Sequence, residues 1–138
     1  MRRDHAPVIM KLLAVAWATT MLLAMPVGAA AFEIVIEVAP HVLNIQSDGE
    51  VVTVHTSINY SDVDTQTVYL NGVPISAWKA DNQGNFVAKF VMEDIKSLPL
   101  IANDYNALTL DGITVDGEPF FGVADIMVIN VLSTGMTE

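Results

Sequence analysis

Past residue 31 the chain alternates between apolar and polar side chains with a period of two. Phe32, Ile34, Ile36 and Val38 fall on one face, and Glu33, Val35 and Glu37 on the other, so residues 32–38 read as a strand that Pro40 ends. Residues 42–45 form a short apolar stretch before the turn Ser47-Asp48-Gly49. Residues 51–58 are rich in β-branched side chains and set Val52, Val54, Thr56 and Ile58 together, leaving His55 on the solvent side. Thr67-Val68-Tyr69-Leu70 leads into Asn71-Gly72, a tight-turn signal, and Pro74 confines residues 73–75 to an edge strand or a connection.

Further along, Asp81-Asn82-Gln83-Gly84-Asn85 reads as a hairpin loop between residues 77–79 and 86–91, with Trp78 expected in the core. Residues 92–98 are the one stretch with helical spacing, through Ile95 and Leu98, and Pro99 ends it. Residues 107–110 and 113–115 flank Asp111-Gly112, and Asp116-Gly117 precedes Phe120-Phe121 and the apolar run 126–131. Leu98-Pro99 followed by Tyr105 suggests a tyrosine corner. The total is about seven to nine short strands with turn signals every 8–12 residues or so, which predicts an all-β antiparallel β-sandwich with one short helical turn. A small barrel would give much the same pattern, and the sandwich is favoured because it suits a chain of about 100 residues.

The first 31 residues follow a different rule. Arg2, Arg3 and Lys11 precede an uncharged apolar run over residues 12–25, Pro26 and Gly28 break it, and Ala29-Ala30-Ala31 offers small side chains at the exit. This is the layout of a secretory signal peptide, residues 1–31, with Ala29 and Ala31 at the cleavage pockets. The run is shorter than the about 20 residues that a membrane span needs, so no stable membrane anchor is expected. The remainder, residues 32–138, is expected to be one domain in the extracellular space or periplasm.

Composition then narrows the chemistry. The whole chain carries six basic and sixteen acidic side chains, a net −10. Residues 32–138 keep only Lys79, Lys89 and Lys96 against fifteen acids, a net −12 with no arginine. Such a surface lacks the clustered cations that a phosphate backbone requires, which excludes nucleic acid, and it favours cations and basic partners. With 52% hydrophobic residues the chain has enough apolar content for a core. It holds no cysteine, so disulfides, thiolate metal sites and thiol catalysis are out.

Several segments carry a family resemblance. Val42-Leu43-Asn44-Ile45-Gln46-Ser47-Asp48-Gly49 with residues 50–56, then Val68-Tyr69-Leu70-Asn71-Gly72-Val73-Pro74-Ile75, residues 81–90 and residues 108–117 resemble the immunoglobulin-like modules of bacterial secreted and surface proteins. The resemblance covers most of residues 32–131, and its motifs are structural. It implies an immunoglobulin-like β-sandwich without enzymatic activity. Where relatives have Gly-Ser-Asp near the end, this chain has Gly122-Val123-Ala124-Asp125, and its hairpin loop holds one carboxylate where relatives can be more acidic.

No nucleophile accompanies His41 or His55 in a recognisable motif, and two separated histidines are too few for zinc. Calcium is the best-supported metal reading. Asp81 with Asn82 and Asn85, or Asp111 with Asp116, could supply its oxygen ligands if the fold brings loops together. The expected function is a non-catalytic interaction or structural module. Its partner would be another extracellular or envelope protein, or a second copy joined through open edges of the first and last strands. The alternative is a small-ligand module for calcium or carbohydrate, using loop carboxylates and exposed tyrosines such as Tyr60, Tyr69 and Tyr105.

Overall fold

The computed structural model describes residues 30–132. The expected signal segment lies outside them except for Ala30 and Ala31, both exposed. The described chain is predominantly β. Its strands are β1 (Phe32–Glu33), β2 (Ile36–Ala39), β3 (Val42–Asn44), β4 (Val51–Asn59), β5 (Val63–Leu70), β6 (Val73–Pro74), β7 (Ala77–Ala80), β8 (Asn85–Val91), β9 (Asp104–Thr114) and β10 (Pro119–Ile129). A 3-10 turn spans Tyr60–Asp62, and the helix α1 spans Met92–Lys96. Among the described residues no helix is long and apolar enough to cross a membrane.

Two sheets result. Sheet A runs β1-β10-β9-β5-β6, with β3 also pairing β10, and sheet B runs β2-β4-β8-β7. Both contribute to one core: Val52, Val54, Phe86 and Phe90 from sheet B meet Val68, Leu108, Leu110, Phe120 and Ile126 from sheet A. The period-two pattern dictates which side chains enter it. In β9 and β10 the even-numbered residues Leu108, Leu110, Phe120, Ile126 and Val128 are buried, and the register pairs odd with odd, so the odd-numbered residues point away from sheet B.

The strand expected over residues 32–38 is divided between the sheets. β1 pairs in parallel with β10, whereas β2 pairs antiparallel with β4. The crossing falls at residues 34 and 35: the Ile34 N–H donates to the Phe121 carbonyl at 2.8 Å, and the Val35 N–H to Ser57 Oγ at 3.0 Å. Ile34, Ile36 and Val38 stay buried throughout because the segment runs along the seam between the sheets. After the cis Ala39–Pro40 bond, β3 returns to β10.

Four expectations need correction. Asp111-Gly112 does not separate two strands but lies inside the 11-residue β9. Gly112 is there for space, since a Cβ on it would lie 2.6 Å from Phe120 Cζ. Trp78 is not in the core. It shares a row with Ala88, but β7 is the edge of sheet B and leaves the indole 41% exposed, while Phe86 and Phe90 fill the interior. Tyr105 is not a tyrosine corner, because its odd position in β9 turns it outward, 65% exposed. The last strand is not an open edge, because β1 and β3 pair with β10 on the side away from β9.

The tether expected of Tyr105 is made by its neighbour. Asn106 is buried; its Oδ1 accepts from the Ile101 N–H at 2.8 Å, and its Nδ2 donates to the Ile101 and Asp104 carbonyls at 2.9 and 3.0 Å. These bonds hold the crossover from α1 against the start of β9. Asn106→Ala strands those backbone groups and is expected to lower stability by about 1–3 kcal/mol, while Tyr105→Phe stays within about 0.5 kcal/mol. Urea titration of both variants checks the contrast.

Candidate functional site

The calcium candidates fall into three places. Asp81, Asn82 and Asn85 occupy the β7–β8 hairpin, where one Asp81 carboxylate oxygen accepts from the Gln83 and Asn85 N–H groups at 2.8 and 2.9 Å. That is the work of an Asx turn, and it already engages the oxygen. Asp116 sits in the β9–β10 hairpin, while Asp111 is mid-strand on the outer face of sheet A, opposite Phe121. Asp111 therefore cannot act as a loop ligand beside Asp116. Among the described residues no group of three or more His, Asp or Glu side chains is arranged to hold a metal ion.

The hairpins do meet at one end of the molecule. The Tyr60 N–H donates to the Gly84 carbonyl and the Val115 N–H to the Asp62 carbonyl, both at 2.9 Å, so the 3-10 turn links the two hairpin loops. Where the 3-10 turn meets the β9–β10 hairpin, a cleft of about 310 Å³ opens against β1 and the end of β4, with Asp62, Asp116 and Glu118 on its polar side and Phe32 and Ile58 on its apolar side. Thr114 Oγ1 accepts from the Glu118 N–H at 3.0 Å and shapes this rim. On the outer face of sheet B, His55 stands opposite Glu37. Ser57 lies two residues along the same face, with its Oγ accepting from the Val35 N–H.

The outer faces of the two sheets differ in composition. Sheet B presents mainly polar side chains, Glu37, Thr53, His55, Ser57, Lys79 and Lys89, with the exposed Val51–Val91 pair at one end and the buried Val87 between His55 and Lys79. Sheet A presents Phe121, Val123, Met127 and Ile129 from β10, Tyr105 and Ile113 from β9, Tyr69 from β5 and Val42 from β3. Of these, Tyr69, Ile113, Val123, Val42 and Tyr105 are 41–65% exposed. Cross-strand pairs extend the surface: Tyr105 faces Met127, which in turn neighbours Val42. A signal for this face was present in the sequence, since β10 reads as an apolar run on both its sides. Such runs mark strands covered on both faces, yet sheet B covers only one.

No known protein family, curated protein or solved structure matches this chain.

Proposed function

We propose that residues 32–131 form an immunoglobulin-like β-sandwich that serves, without catalysis of its own, as an interaction module in the bacterial envelope or extracellular space. The fold reading is supported by strand order. The sequence β2-β4-β8-β7 opposite β10-β9-β5 is the arrangement of a constant-type immunoglobulin sandwich, with one four-stranded sheet facing a sheet built on three strands. Export rests on the sequence pattern of residues 1–31 alone.

One observation carries the interaction reading: the apolar outer face of sheet A, around Val123, Tyr105 and Met127, has no cover among the described residues. A contiguous apolar surface of this kind marks a contact site on soluble proteins. Of the two strand edges expected from sequence, the last strand is closed because β10 is flanked on both sides, whereas the first segment does lie at sheet edges, as β1 and β2. The face is favoured over these edges because β1, β2, β3, β6 and β7 are each four residues or fewer, and β7 carries Lys79, a common guard against strand addition.

A photoreactive phenylalanine analogue in place of Val123 tests the reading in the producing cell. Irradiation is expected to give one discrete adduct, and the same analogue in place of His55 on sheet B none. The proposal fails if position 123 yields no adduct, or if both positions yield the same smear.

A further inference from the structure

We infer that the partner of this face is a protein surface with an apolar centre and lysine or arginine side chains set within it; the inference rests on the interaction reading above. Two carboxylates stand in the middle of the exposed apolar side chains, and a third, Asp64, stands opposite Ile113 at their margin. Asp111 lies between Tyr69 and Phe121, and Asp125 lies opposite Ala107, midway along β10 between Val123 and Met127. Both are exposed and neither is ion-paired, the one ion pair among the described residues being Lys96 with Glu93. Glu33 extends the Asp111 row beyond Phe121.

Among the described residues no cation reaches them from the same face. Lys79 and Lys89 project from the opposite side of the molecule, on sheet B. Lys96 is engaged on α1, where its Nζ donates to the Ser47 carbonyl and to Glu93.

This placement discriminates among occupants. A purely apolar cover, such as a lipid surface, would bury two carboxylates without counter-ions, which costs more than the apolar contact recovers. A second copy laid face to face would bring the same acids together, with residues 32–138 of each chain at −12. A partner with cations at the matching positions turns both penalties into ion pairs and gains electrostatic steering during encounter. The two carboxylates sit on neighbouring strands, four residues apart in register, so the partner's cations belong roughly 14 Å apart.

Synthetic amphipathic helices test this on the full chain, one of leucine and lysine and one of leucine and glutamate, with binding followed by backbone amide NMR. The lysine peptide is expected to perturb Thr109, Val123 and Asp125, and the glutamate peptide to leave them unchanged. The double variant Asp111→Asn/Asp125→Asn should weaken the lysine peptide about fivefold or more, whereas Asp48→Asn/Asp94→Asn, an equal charge change elsewhere on the surface, should weaken it less than about twofold. Equal losses in the two double variants would reduce the effect to net charge and overturn the inference. Perturbation of sheet B, equal binding of the glutamate peptide, uptake by phosphatidylcholine vesicles or a face-to-face dimer would overturn it too. If position 123 cross-links in cells but the lysine peptide does not bind there, the interaction surface stands and its cationic partner falls.

Discussion

Replacing Phe86 by alanine is expected to destabilise the domain by about 3–5 kcal/mol, the range for truncating a fully buried phenylalanine. Phe86 is 0% exposed and sits on β8 with β4 on one side and β7 on the other. Its ring lies against Tyr60, with centroids 6.3 Å apart. Its carbonyl accepts from the buried Thr56 hydroxyl at 2.6 Å, which fixes the local backbone. That backbone anchoring limits collapse around the missing ring, so the cost should fall toward the upper end. A domain of this size is stable by about 5–15 kcal/mol, so a large share of the stability goes with one side chain. Urea titration by far-ultraviolet circular dichroism is the proper readout, because the exposed Trp78 reports poorly on the core. A loss below about 1 kcal/mol would mean that Phe86 is not packed as described.

The second large effect is expected at Gly122, where the chain has no room for a side chain. A Cβ there would lie 2.6 Å from Ile36 Cγ2 and 2.9 Å from the Ile34 carbonyl oxygen. Ile36 can rotate, but the Ile34 carbonyl is backbone, held where the segment crosses from sheet A to sheet B. Gly122→Ala should therefore cost about 1–3 kcal/mol through overpacking, and Gly122→Val more, by pushing β1 and β2 off β10. Amide exchange would register the second variant as early loss of protection at Ile34, which donates to the Phe121 carbonyl. A valine variant as stable as the parent, with Ile34 still protected, would contradict the close approach. Gly72→Ala is a useful contrast, since nothing stands within 4 Å there and its penalty is the positive φ of +84° alone.

Much of the β pattern was readable because alternation is a local signal. Val52, Val54, Thr56 and Ile58 went inward and His55 outward as their spacing required, and Asn71-Gly72 adopted the positive φ angles that its turn demands. Pro74 lay on an edge strand for want of an N–H. The readings that failed depended on neighbours that lie far away in sequence. Asp111-Gly112 looks like an interruption, yet the glycine is a strand residue made necessary by Phe120. Trp78 carries the right parity for burial and still lies exposed, because exposure at a sheet edge depends on what stands beyond it. The candidate site divides the same way. The Asp81 turn was legible from its residue types, while the company of Asp62, Asp116 and Glu118 at one cleft was set by the hydrogen bond from the Val115 N–H in the β9–β10 hairpin to the Asp62 carbonyl in the 3-10 turn.

From residue order alone came the β class, turns such as Asn71-Gly72 and the Asp81 loop, the inward sides of residues 34–38 and 51–58 and the strongly acidic balance, since each follows from nearest-neighbour chemistry or a simple count. It took the folded arrangement to divide the first strand between two sheets, to flank β10 on both edges, and to leave its outer apolar side uncovered among the described residues. Those outcomes depend on which strands become neighbours, and strand pairing is a long-range choice that a period of two leaves open.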